Sequence, residues 1–141
     1  MEFKKIKNLI KEKETLDKDQ FRNALKDILQ TNVTKNQIDN YIGDYPSMIE
    51  PVILGKDVKI GDDVLLGPNV YIGDDVEIGD YDEISNSIIL KDAKLGEIFK
   101  FDYCIVEEGS QFTFTNLNLK NCILSGNASS KKDVNKKCFE S

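Results

Sequence analysis

Few side chains in this 141-residue chain can do chemistry, and their spacing narrows the choices further. There is no histidine, so the side chain best suited to moving a proton near neutral pH, and the commonest metal ligand, is missing. Cys104, Cys122 and Cys138 form no Cys-x-x-Cys pair, so neither a zinc site nor a disulfide framework is expected. The adjacent acids Asp62-Asp63 and Asp74-Asp75 have the oxygen chemistry to share a cation between neighbouring turns, but the same pairs read more simply as hydrated turn residues. No Gly-x-Gly occurs, so no glycine-rich phosphate loop is expected either. No metal is called for.

The elements that must position these residues announce themselves between residues 54 and 84. Laid out in sixes, Leu54-Gly55, Ile60-Gly61, Leu66-Gly67, Ile72-Gly73 and Ile78-Gly79 repeat, with Val58, Val64, Val70 and Val76 two places before the next aliphatic. In an extended chain Val58 and Ile60 point to one side and Lys59 to the other, and polar pairs after each glycine supply corners. Three short sides and three corners close a triangular coil that cannot bury its own core and must stack on neighbours. The repeat resembles the hexapeptide-repeat proteins, which implies a left-handed parallel β-helix.

Beyond Ile84 the pattern drifts but continues. Three inward ladders can be written: Leu54, Ile72, Ile89, Val106, Leu124; Ile60, Ile78, Leu95, Phe112; and Leu66, Ile84, Phe101, Leu119. That makes about four coils over residues 47–124. Cys104 and Cys122 fall on the small inward positions and are expected to be inert core fillers, leaving Cys138 as the reactive thiol. Asp82 breaks the small-residue series and Phe99 overfills it, so both should mark irregularities. Ile53, Tyr71, Ile88, Ile105 and Ile123, each just before a rung, make an outward strip that is apolar as well. A strand apolar on both sides is buried on both sides. The strip is expected to be a subunit interface, or to lie under the chain's own helices.

Residues 1–46 read as a helical segment, a cap or an adaptor. Phe3, Ile6 and Ile10 share one stripe; Phe21, Leu25, Ile28 and Leu29 form another after a cap at Asp17; and Thr34 with Gln37 suggests a capping box for a short helix through Ile42. The expected task of these helices is to cover an open end of the solenoid. Residues 125–141 read as a polar tail. Residues 47–124 hold 6 basic against 15 acidic side chains, which disfavours a nucleic-acid partner. No stretch is apolar enough for a membrane span or signal peptide, so a cytoplasmic protein is expected.

Residues 86–117, with Asn86-Ser87-Ile88-Ile89 and Thr115-Asn116-Leu117, resemble the acetyltransferase domain that closes archaeal-type bifunctional sugar-1-phosphate nucleotidylyltransferases. That resemblance spans about residues 49–124 and implies a homotrimer. It also implies acetyl transfer from acetyl-CoA to an amino sugar phosphate, with a histidine base in a Pro-His-Leu-Ser-Tyr segment. Here that segment becomes Gly96-Glu97-Ile98-Phe99-Lys100, which puts Glu97 where the base would be, and Asn116 keeps its place in the substrate-binding segment. Three functions follow as expectations. The first is a histidine-free oligomerisation scaffold or non-catalytic partner of a sugar-nucleotide enzyme, with no cofactor. The second is a divergent acetyl-CoA-dependent acyltransferase using Glu97. The third is a protein-binding adaptor working through the helical prefix.

Overall fold

The computed structural model describes residues 1–140, and the six-residue repeat becomes a three-sided solenoid of parallel strands. The first face stacks Gln37–Ile38, Val52–Leu54, Val70–Ile72 and Ser87–Ile89, then the second halves of the long strands Phe99–Val106 and Leu117–Ser125. The second face runs from Tyr41–Gly43 through Val58–Ile60 and Glu77–Ile78, across Lys94, to Gln111–Phe112 and Asn127–Ala128. On the third lie Ser47–Met48, Leu65–Leu66, Glu83–Ser85 and the first halves of the two long strands.

All three ladders appear as written. Leu54 pairs with Ile72, Ile72 with Ile89, Ile89 with Val106, and Val106 with Leu124. Leu66, Ile84, Phe101 and Leu119 stack likewise on the third face. Nearly every rung is buried, and each such aliphatic contributes about 1.5–3 kcal/mol, so the ladders are the main support of the fold.

The corners hold a surprise about the glycines. After Gly55, Gly61, Gly73, Gly79 and Gly96 the left-handed conformation falls two residues later, in columns such as Asp57, Asp75, Asp92 and Asp63, Tyr81, Ile98, Asn116, whereas Gly43, Gly67, Gly109 and Gly126 take positive φ themselves. Aspartate and asparagine enter this region more readily than other residues with a β-carbon, which explains the Asp-Asp and Pro-Asn corners. The glycines before these corners serve close approach instead. A Cβ on Gly79 would run into the carbonyl oxygen of Gly96 one coil on, and a Cβ on Gly96 into that of Phe114.

Helix α1 (Phe3–Lys11) and helix α2 (Lys18–Asn32) form as their stripes predict. Asp17 caps α2 through the Gln20 N–H at 2.8 Å, and the Gln20 side chain accepts the Asp17 N–H in return. They do not close an end. They lie over the first face, where Ile6, Phe21, Leu25 and Leu29 pack with Ile88, Ile105 and Ile123, and Ile53, Tyr71 and Tyr103 join from the edge. The Arg22 guanidinium sits 4.1 Å from the centre of the Tyr103 ring. The strip expected to be a trimer interface is therefore occupied by the chain's own helices.

Residues 34–42 are not helical. Gln37–Ile38 and Tyr41–Gly43 are strands of a first coil, and the Asn36 side chain accepts the Val52 N–H at 2.7 Å, fastening the entry to that coil. Pairing with the next coil outweighs the local helix signal, since Ile38 gains Leu54 as its neighbour. The polar tail also differs from expectation. Asn135–Cys138 pairs antiparallel with Leu117–Ser125, Phe139 is buried, and Cys138 is bonded to Cys122 as a disulfide. Antiparallel register sets Cys122 directly opposite Cys138, a relation that spacing along the chain conceals. Closing a loop of this size stabilises by roughly 3 kcal/mol in the chain-entropy account. Only Cys104 keeps a free thiol, buried inside the prism, so the expectation of a reactive Cys138 does not hold.

Candidate functional site

Glu97 and Asn116 meet at one corner of the solenoid, between the second and third faces. The Asn116 N–H donates to the Glu97 carbonyl oxygen at 2.9 Å, so the two residues occupy successive coils. Both side chains are exposed. Beneath Glu97, the same corner carries Asp80, Asp62 and Asp44 in the preceding coils. The Asp80 carboxylate accepts the Asp62 N–H at 2.8 Å. A hydrogen bond with Asp44, then repulsion from Asp44 and Asp80, raises the pKa of the exposed Asp62 carboxyl.

Beside this acidic column runs an open cleft of about 590 Å³ along the second face, lined by Lys59, Glu77, Lys94, Glu97, Thr113 and Phe114 among others. Its two lysines share one carboxylate. Glu77 holds Lys59 at 3.5 Å and Lys94 at 3.7 Å. Below the cleft floor Phe99 touches Phe101, Phe112 and Phe114, with ring centres 5.7, 6.4 and 5.2 Å away. These four rings fill the interior that smaller residues would leave open.

One residue of this corner was visible in sequence only as a break in pattern. Asp82 points into the prism, fully buried, and accepts the Phe99 N–H at 2.7 Å and the Gly79 N–H at 2.8 Å. The two positions flagged as irregular are thus bonded to each other. Burial pushes the Asp82 carboxyl up to about 8; the two N–H donors favour its ionised form but are outweighed, and Asp80 and Glu97 push the same way as burial. Its oxygens face backbone donors, not the cleft, which makes it a structural carboxyl that holds an irregular corner.

The other acids have architectural roles as well. Asp63 and Asp75 adopt the left-handed corner conformation, and Asp74 accepts the Lys56 N–H from the coil below at 2.8 Å. Among the described residues, no group of three or more Cys, Asp or Glu side chains is gathered to hold a metal ion. Among the described residues, no helix is long and apolar enough to cross a membrane.

Triangular coils, six-residue ladders, left-handed Asp and Asn corners and close-packed glycines define a hexapeptide-repeat β-solenoid. Comparison with family profiles makes this more specific. Residues 48–137 match the GMPPB C-terminal domain, and the chain belongs to that family, a C-terminal hexapeptide-repeat domain of sugar-1-phosphate nucleotidylyltransferases. The match takes in most of the final strand, so the strand is part of the domain. No curated protein and no solved structure matches the chain.

Proposed function

We propose that this domain is a non-catalytic assembly module that works with a sugar-nucleotide transferring enzyme. One observation carries the reading: the corner where acyl transfer would take place is a column of carboxylates, Asp44, Asp62, Asp80 and Glu97, with no unpaired lysine in the cleft beside it. Acetyl-CoA and amino sugar phosphates are both rich in phosphate, and stacked carboxylates repel them. Glu97 stands exposed to water at the cleft mouth.

The surface such a module offers is its uncapped first coil. Its three strands, Gln37–Ile38, Tyr41–Gly43 and Ser47–Met48, are each the outermost strand of their stack. Ile38, Ile42, Tyr45 and Ile49 are 40%, 55%, 75% and 50% exposed at that end. Unpaired strand edges with apolar side chains are ready to accept a further strand. The apolar stripes of α1 and α2, by contrast, already face the solenoid.

The divergent acetyltransferase is kept as a second reading, because Glu97 and Asn116 do stand on adjacent coils at the cleft mouth. Calorimetric titration with acetyl-CoA, and coenzyme A release with glucosamine-1-phosphate or galactosamine-1-phosphate, separate the two. We expect neither binding nor turnover. Turnover abolished by Glu97→Gln would overturn the assembly reading.

A further inference from the structure

The C-terminal strand is where the chain fastens its helices to the solenoid. Residues 135–138 extend the first face by one antiparallel strand, and Lys137 and Asn135 fall opposite Ile123 and Ser125. Phe139, one residue further, donates its N–H to the Asn121 carbonyl at 2.8 Å. Its ring stacks on Phe21 of α2 with centres 4.4 Å apart and planes at 13°. Lys137 reaches Glu14, in the link between the two helices, at 3.6 Å. Strap and helices therefore hold each other. Yet the strap has little apolar grip of its own, since Asn135, Lys136 and Lys137 are polar and only Val134 and Phe139 are buried near it.

We propose that the Cys122–Cys138 bond is a redox latch: reducing it releases residues 134–140, loosens α2, and uncovers the apolar strip Ile88, Ile105 and Ile123. The reaction is a two-electron exchange with a dithiol reductant. The reductant's thiolate attacks one sulfur of the bond, its second thiol resolves the mixed disulfide, and Cys122 and Cys138 leave as thiols while the reductant becomes a disulfide.

Access is built in. An open groove of about 480 Å³ at this end of the solenoid is lined by Lys18, Lys120, Cys122 and Cys138. Its lysines favour an approaching thiolate. The third cysteine does not interfere. Cys104 neighbours Cys122 in the parallel register, but burial pushes its thiol up to about 12, so it stays protonated and does not capture the bond by exchange. Reoxidation then returns the same pair.

This proposal does not depend on the assembly reading and is tested separately. Hydrogen exchange read by mass spectrometry would compare the full chain, air-oxidised, with the same protein in a dithiol reductant. Peptide mapping of the oxidised sample should find Cys122 joined to Cys138. On reduction, amides of 134–139 and 18–32 should exchange roughly tenfold faster or more, while strands 52–106 keep their protection. An environment-sensitive dye should brighten in parallel. Cys122→Ser with Cys138→Ser should show the fast pattern regardless of reductant, and Phe139→Ala should show it in α2 even with the disulfide intact. Unchanged exchange in α2 on reduction would overturn the latch. So would equal loosening of every coil, which makes the bond a general brace, or an oxidised protein without this linkage.

Discussion

Asp82 should make this fold weaken as the solution becomes more alkaline, and the size of the effect can be worked out. In the unfolded chain its carboxyl titrates near the ordinary 3.8, and in the fold at about 8. Between those values the folded state holds a proton that the unfolded state has lost. The site's contribution is therefore complete below pH 4 and is lost as the pH rises through 8. Linkage between these two pKa values leaves the protein about 3 kcal/mol less stable at pH 9 than at pH 6. Cys104, raised by burial from 9.0 to about 12, pushes the same way but adds less than about 1 kcal/mol by pH 9, while the chain has no histidine and Cys122 and Cys138 are bonded. Urea unfolding at the two pH values measures the difference directly. Asp82→Asn supplies the comparison: its amide oxygen can still accept the Phe99 N–H, while its NH2 meets the Gly79 N–H, a loss of about 1–3 kcal/mol. That loss is the same at both pH values, so the variant should keep only the small Cys104 part of the slope between pH 6 and 9. Equal slopes in wild type and variant, or a wild type more stable at pH 9, would refute the reasoning.

Three further outcomes are expected. Gly79→Ala drives a methyl group into the Gly96 carbonyl and should destabilise by about 1–3 kcal/mol in the same unfolding assay. Ile88→Glu with Ile105→Glu should detach the helices, lowering the helical circular dichroism signal and broadening the melt, because each glutamate would be an unpaired charge in a fully buried site. At the left-handed corners, Ile98→Asn should raise stability by about 1 kcal/mol, read as a higher melting temperature, because a β-branched residue at φ 58° is strained where asparagine is not.

The solenoid was legible because its physics is local and periodic. A residue such as Ile72 needs only to know that another aliphatic lies 18 places before it and 17 after, and register follows. What escaped was set by relations with no period. The antiparallel return of residues 135–138 has no counterpart in the repeat, so Cys122 and Cys138 looked unrelated until the strand turned back. The first coil was hidden for a similar reason: residues 37–48 contain few of the hexad's aliphatics, and a short capping pattern at Thr34 and Gln37 imitated a helix start. The outward strip was read correctly as buried, and the choice between a second subunit and the helices needed the fold. At the candidate site, the resemblance pointed to Glu97 and Asn116 in two separate segments, and only the fold shows that they share one corner. The charge around them could not be read along the chain, because Asp44, Asp62 and Asp80 become neighbours of Glu97 only when the coils stack.

Stacking also makes the domain a ruler. Six strands lie on the first face from Gln37–Ile38 to the second half of Leu117–Ser125, and at about 4.8 Å per layer they span roughly 24 Å. The uncapped coil and the strap with its disulfide sit at opposite ends of that length. Adding or removing one whole coil would move them apart or together by a single layer and leave every ladder in phase, whereas a change of a few residues would turn rungs outward. Evolution can therefore adjust the reach of such a domain only in whole steps, and the distance between the first coil at one end and the strap at the other is quantised by the repeat.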